Sequence, residues 1–139
     1  MVLGPPATVT AVGTTAFTGV DATTSVLLTY GSGAQAVLTT TMSALGPNRA
    51  AIVGTDARIE VDPVFYTPTG FTLTRRDGSV ERFDEPHEGH GLRHEAAELM
   101  RCLREGRTES DVLPLDETVS IMETMDEVRR QIGLDYSVL

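Results

Sequence analysis

The chain contains no lysine and no tryptophan, a single cysteine, and aromatic residues at only 5% of its 139 positions. Without lysine there is no Schiff-base amine, no phosphate-loop lysine and no lysine-assisted proton transfer. One cysteine, Cys102, excludes an internal disulfide framework and suits a reducing cytoplasm. Set between Met100 and Leu103 in a helical stretch, it reads as a buried, inert thiol rather than a nucleophile. Positive charge is scarce as well: eleven arginines stand against twenty acidic residues, for a net charge of −9. That balance argues against nucleic acid or an anionic membrane surface as a partner, since both select clustered cations. No run approaches the roughly 20 apolar residues of a spanning helix, and no signal peptide is visible where Met1-Val2-Leu3 meets Gly4-Pro5-Pro6. The expectation is one cytoplasmic domain over residues 1–139.

What is present is organised around Gly89 to Tyr136, which predicts two amphipathic helices. In the first, from Leu92 to about Glu105, Leu92, Ala96, Leu99, Met100 and Leu103 form one apolar stripe, and Gly106 closes the helix. The second opens at Asp116 as N-cap and closes at Gly133, with Val119, Met122, Met125, Val128 and Ile132 as its stripe and Ile121 at the margin. Acidic residues come early and arginines late in both, as the helix dipole favours.

The preceding residues alternate with the period of strands. Ala7 to Phe17, Val20 to Tyr30 and Ala34 to Ser43 read as strands, the last two joined by a Gly31-Ser32-Gly33 turn. After a Gly46-Pro47-Asn48 loop come short strands at Arg49 to Gly54 and Arg58 to Asp62. A loop carrying Phe65 and Tyr66 follows, then Phe71 to Arg76 and Ser79 to Phe83 around the tight turn Asp77-Gly78. Strands first and helices last predict an α+β fold: a large, mostly antiparallel, open-faced sheet with two C-terminal helices packed on one face. The other face would show Thr23, Ser25, Thr29, Val37, Thr39, Thr41 and Ser43, all uncharged. A solvated face normally carries charges, so this one is expected to pair with a second copy; a merely wet, threonine-rich face is the plainer alternative.

Motifs that carry chemistry are few. Gly31-Ser32-Gly33-Ala34-Gln35-Ala36 fits a loose dinucleotide pattern, but that site needs strand, glycine turn and helix, and here the glycines join two strands. His87, His90 and His94 cluster beside Glu88 and Glu95 with possible zinc-ligand spacing, although solvated polar residues are the usual meaning of such a segment. No Ser-His-Asp spacing, activated cysteine or carboxylate pair stands out, so no residue is assigned to catalysis, cofactor binding or metal.

The tail Pro114-Leu115-Asp116-Glu117-Thr118, with Ile121-Met122, Asp126-Glu127 and Arg129 to Leu134, resembles the end of the glucose–fructose oxidoreductase, inositol dehydrogenase and rhizopine-catabolism (Gfo/Idh/MocA) family. Further matches are Gly91-Leu92, His94-Glu95-Ala96, Arg101-Cys102-Leu103, Gly106 and Glu109-Ser110. Upstream, Val9 to Gly13, Ile52 to Thr55 and Arg58 to Val61 also look like this family, in its trans-dihydrodiol dehydrogenase-like branch. The resemblance implies a C-terminal substrate and dimerisation domain of a two-domain oxidoreductase, without its N-terminal dinucleotide-binding domain. The family's Glu-Lys-Pro segment and catalytic helix map onto nothing here, so no catalytic residue is carried over. The whole enzyme would use NAD or NADP on a sugar, polyol or dihydrodiol. This part would be a homodimer through Thr23, Ser25, Val37, Thr39 and Thr41, with Phe65, Tyr66, His90 and His94 as candidates for the substrate-cleft wall. The rival readings are a free-standing assembly or ligand-binding module and a zinc-dependent hydrolase.

Overall fold

Seven strands and two helices appear in the computed structural model, which describes residues 2–67, 69–86, 89 and 91–135. They are β1 (Thr8–Thr15), β2 (Asp21–Thr29), β3 (Gln35–Thr41), β4 (Ala50–Val53), β5 (Ala57–Val61), β6 (Gly70–Arg75), β7 (Val80–Asp84), α1 (Leu92–Arg104) and α2 (Leu115–Ile132). The α+β class and the antiparallel pairing agree with the alternating pattern. Hydrogen bonding divides the strands into two sheets, ordered β1-β2-β3 and β4-β5-β6-β7, where the sequence suggested one. The division falls where Pro47 lacks a donor and Asn48 takes a positive φ of 45°, both unsuited to extending a ladder. Two compact units follow, one of Met1–Gly46 with Arg107–Leu139 and the other of Pro47–Gly106.

In the first unit, β2 pairs with both neighbours in an unbroken register across its centre, Ala11↔Val26↔Leu38 and Val9↔Leu28↔Ala36. Those residues share the face on which α2 lies. Contact is close because Gly13 has no side chain: a Cβ there would stand 3.1 Å from Ile132 Cγ2. Gln131 fixes the helix to the free edge of β1. Its Nε2 donates to Val9 O (2.8 Å), and its Oε1 accepts the Ala11 N–H (2.7 Å), so the amide stands in for a missing strand. The same Nε2 reaches Glu127 Oε1 at 2.7 Å. Hydrogen bonds from Arg130 and then Gln131 hold the Glu127 carboxyl down at about 2, so it stays an acceptor through the ordinary pH range. Gln131→Ala is expected to cost about 1–3 kcal/mol in a urea melt, because it strands the amide of buried Ala11.

α2 begins two residues earlier than the sequence reading, which took Asp116 as the N-cap. Pro114, at φ −61° and ψ 154°, is the N-cap, and Asp116 lies in the first turn. Glu109 Oε2 accepts the Leu115 N–H at 2.9 Å and so serves the helix start from outside. The expected single stripe also separates. Ile121, Val128 and Ile132 are half-buried toward the sheet, whereas Leu115, Val119 and Met122 point away from it.

In the second unit, Ile52, Ile59 and Leu73 line up across β4, β5 and β6, and Ala50, Val61, Phe71 and Phe83 line up across all four strands. Phe71 and Phe83 stack with centroids 4.6 Å apart, an apolar pair directly opposite in the ladder. The Asp77-Gly78 turn forms as expected, with Gly78 at φ 86°. α1 also belongs to this unit, so the two helices do not share a unit; within the first unit, α2 packs on the three-stranded sheet. The predicted core stripe of α1 faces out: Leu92, Leu99, Met100 and Leu103 are exposed, Leu99 at 61%. Cys102, on another side of α1, is the buried residue, as the sequence implied for its thiol.

Candidate functional site

Two surfaces collect the residues singled out from the sequence. The first is the face of β1-β2-β3 opposite α2. Register builds it in four rows: Thr8, Thr29 and Gln35; Thr10, Leu27 and Val37; Val12, Ser25 and Thr39; Thr14, Thr23 and Thr41. All five candidate dimer-face residues therefore lie together on β2 and β3. No position in those rows is charged, and Val12 and Val37 are widely exposed, Val37 at 77%. Cross-strand hydroxyls share hydrogen bonds at Thr8–Thr29 (2.6 Å), Thr23–Thr41 (2.8 Å) and Ser25–Thr39 (3.1 Å). These bonds satisfy the hydroxyls within the sheet, which lowers the cost of drying the face against another surface.

The second surface is a shallow hollow of about 340 Å³ on the edge of the four-stranded sheet, lined by Arg49, Ala50, Ala51, Glu60, Val61, Asp62 and Pro63. The loop leaving it carries Phe65 and Tyr66, an edge-to-face pair at 5.6 Å whose rings are largely exposed. Phe65 N–H donates to Asn48 O at 3.1 Å, which ties this loop to the start of β4. The acids of the hollow are engaged. Arg82 grips Asp62 with two parallel bonds, Nη1 to Oδ1 (2.7 Å) and Nη2 to Oδ2 (2.6 Å), and also donates through Nε to Asp84 (2.8 Å). The Arg82 guanidinium holds the Asp62 carboxyl below its usual range. Arg58 Nε likewise donates to Glu60 at 3.1 Å. The Asp62 carboxylate, held by Arg82, is a weak base, suited to forming a wall and to orienting hydroxyl groups rather than to moving a proton.

His94 is exposed in the first turn of α1, its backbone N–H donating to Gly91 O at 2.9 Å. His87 and His90 lie outside the described residues. Among the described residues, no group of three or more histidine, cysteine, aspartate and glutamate side chains is placed to hold a metal ion. Gly31 and Gly33 stand between β2 and β3, so the loose dinucleotide pattern is a hairpin turn. Sequence reasoning missed the Arg82–Asp62 pair. Its signal was available: both fall on polar positions of alternating strands, but the pairing register needed to join them was not. Among the described residues, no helix is long and apolar enough to cross a membrane.

Residues 1–60 match the GFO/IDH/MocA C-terminal domain. The trans-1,2-dihydrobenzene-1,2-diol dehydrogenase of Xenopus tropicalis is 35% identical over 139 residues, covering 94% of this chain and 41% of that protein. The D-xylose 1-dehydrogenase (NADP(+)) of Hypocrea jecorina is 38% identical over 96 residues, covering 63% of this chain and 25% of that protein. Among solved structures, the aldose–aldose oxidoreductase of Caulobacter crescentus, complexed with glycerol, superposes with a TM-score of 0.72 at 21% identity, covering 94% of this chain and 39% of that one. An oxidoreductase of Agrobacterium radiobacter in complex with NAD+, L-tartaric acid and magnesium gives 0.71 at 16% identity, covering 95% and 42%. At those identities the structural likeness speaks for the fold. The chain spans about two-fifths of the length of the dihydrodiol dehydrogenases it matches.

Proposed function

The chain belongs to the GFO/IDH/MocA family as a C-terminal domain, and from that premise we propose that it serves an NAD(P)-dependent oxidoreductase acting on a sugar, polyol or dihydrodiol. The observation that carries this reading is identity of 35% spread over 94% of the chain, through both sheets and both helices. The chain supplies one wall of the substrate cleft and the dimer interface. Phe65 and Tyr66 offer apolar ring faces beside the hollow, of a kind that packs on the C–H faces of a polyol, and His94 is a further candidate for the wall. The uncharged face through Thr23, Ser25, Val37, Thr39 and Thr41 receives a second copy. Hydride transfer requires a dinucleotide-binding domain, which supplies the NAD or NADP site and the proton-transfer groups. The working compartment is the cytoplasm, consistent with the lone cysteine.

The protein from the complete reading frame around these residues, including any sequence 5′ of Met1, is expected to reduce NAD or NADP with D-xylose or a trans-dihydrodiol. The isolated 139 residues are expected to bind neither nucleotide in titration calorimetry and to turn over nothing. A complete protein that neither binds nucleotide nor oxidises either substrate class would displace this reading in favour of a free-standing assembly module.

A further inference from the structure

We infer that Arg49 makes the hollow a site for an anionic polyol, a sugar that bears a carboxylate or a phosphate at the end away from its oxidised carbon. The inference rests on the functional reading above and names its substrate class. It starts from how the arginines of this unit are engaged. Arg58 is paired with Glu60 (3.1 Å), Arg75 with Glu81 (2.6 Å), and Arg82 with Asp62 and Asp84 (both 2.6 Å). Arg49 lines the hollow, is exposed, and has no carboxylate partner among the described residues. Arg76 is likewise without one, but it stands at the β6–β7 turn outside the hollow, where its N–H donates to Asp56 O (2.8 Å). The hollow therefore holds one guanidinium with uncommitted donors, beside acids whose charge is already met.

The surroundings select the rest of the ligand. Asn48 O accepts the Phe65 N–H (3.1 Å), which ties the aromatic loop to the residue next to Arg49. Phe65 and Tyr66 thus present their rings beside the free cation, suited to the C–H side of a sugar. Asp62 gives both oxygens to Arg82, at 2.7 and 2.6 Å, and keeps lone pairs for hydroxyl groups. A volume of about 340 Å³ lies at the lower end of the roughly 300–1,000 Å³ of small-molecule sites, room for a single small ligand. Charge argues in the same direction. At −9 the chain as a whole repels anions, so an anion binds best within reach of a cation that no carboxylate has neutralised. A planar guanidinium meets a carboxylate or a phosphate with two parallel bonds, which fixes the ligand's orientation as well as matching its charge. Anchored at that end, the sugar presents its far carbon in one pose, so Arg49 sets specificity without touching the reacting bond.

Two measurements test the site. In the isolated chain, the Arg49 Nε–H resonance is expected to shift on titration with D-glucuronate or D-glucose 6-phosphate and to stay in place with D-glucose. Equal shifts with acetate or inorganic phosphate alone would mean that an exposed guanidinium takes any anion. No shift with either charged sugar would mean that it takes none, and each of these results overturns the inference. In the protein from the complete reading frame, kcat/KM for the better charged sugar is expected to exceed that for D-glucose about tenfold, and which sugar is better tells carboxylate from phosphate. Arg49→Gln is expected to bring that ratio to within about twofold of one. Arg49→Lys, which keeps the charge and loses the fork, is expected to retain about threefold, and Arg76→Gln to leave the ratio where it was. A ratio that Arg49→Gln does not move would overturn the inference, while the turnover itself leaves the functional reading standing. Shifts at Arg49 with the charged sugars but no turnover of any sugar would do the reverse, removing the functional reading and keeping the hollow as an anionic-sugar site.

Discussion

Thr39→Asp combined with Thr41→Asp is expected to turn a dimer of this chain into monomers in light scattering, with the far-ultraviolet circular dichroism unchanged. The register explains the size of the effect. Thr39 lies in one row with Ser25 and Val12, and Thr41 in the next with Thr23 and Thr14, so both substitutions fall on the uncharged face, along its β3 edge. Two copies bring four new carboxylates into one contact that contains no cation to meet them. Unpaired ions removed from water cost several kcal/mol, and at about 1.4 kcal/mol per tenfold a penalty of about 4 kcal/mol weakens association about a thousandfold. The fold of each chain tolerates the change, because Thr39 is exposed and Thr41 gives up only bonds to Thr23 (2.8 Å) and Ser43 N–H (3.1 Å). A double variant that still runs as a dimer would show that this face is not the interface.

That face was legible in the sequence because its signal has a period of two. Thr23, Ser25, Val37, Thr39 and Thr41 alternate with Ala22, Thr24, Val26, Ala36, Leu38 and Thr40, and a strand can place such sets only on opposite sides. The Asp77-Gly78 and Gly31-Ser32-Gly33 turns were legible for a similar reason, since positive φ in a tight connection selects glycine. The α2 stripe misled for a geometric reason. Val119, Met122, Met125 and Val128 are spaced by three, and at about 100° per residue each such step falls about 60° short of a full turn. Three steps accumulate about 180°, so Val119 and Val128 stand on opposite sides of one helix. Spacing alone made them a stripe; only the position of β1 shows which end of the series is inside. α1 misled differently. Leu92, Ala96, Leu99, Met100 and Leu103 do share a side, but periodicity names a face and not what covers it. In the hollow, Phe65 and Tyr66 could be named from their loop, whereas Asp62 and Arg82 are twenty positions apart and meet only through the β5–β6–β7 register.

Gly70→Ala is expected to destabilise the Pro47–Gly106 unit by about 3 kcal/mol in a denaturant melt, toward the upper end of what overfilling a packed site costs. From sequence, Gly70 reads as punctuation after Pro68-Thr69; in the structure it is the first residue of β6 and pairs with Asp84. Its φ is outside the left-handed region, so backbone conformation is not the obstacle. The obstacle is space. An added Cβ would overlap the carbonyl oxygen of Phe83 and stand 2.7 Å from Arg82 Nη2 and 3.0 Å from Asp84 Oδ1. Arg82 can swing aside, but the Phe83 carbonyl belongs to the β6–β7 ladder and cannot move without loosening it. If Arg82 does swing away, Asp62 loses the hydrogen bond that holds its carboxyl low. Its titration midpoint, followed by carboxyl carbon NMR, is therefore expected to rise toward the ordinary aspartate value in the variant. Thr69→Ala supplies the comparison, removing only a 3.3 Å bond to Asp62 from an exposed site and costing under about 1 kcal/mol. An alanine at position 70 that melts with the parent chain, and leaves the Asp62 titration where it was, would mean that the wall of the hollow does not depend on the Arg82 clasp.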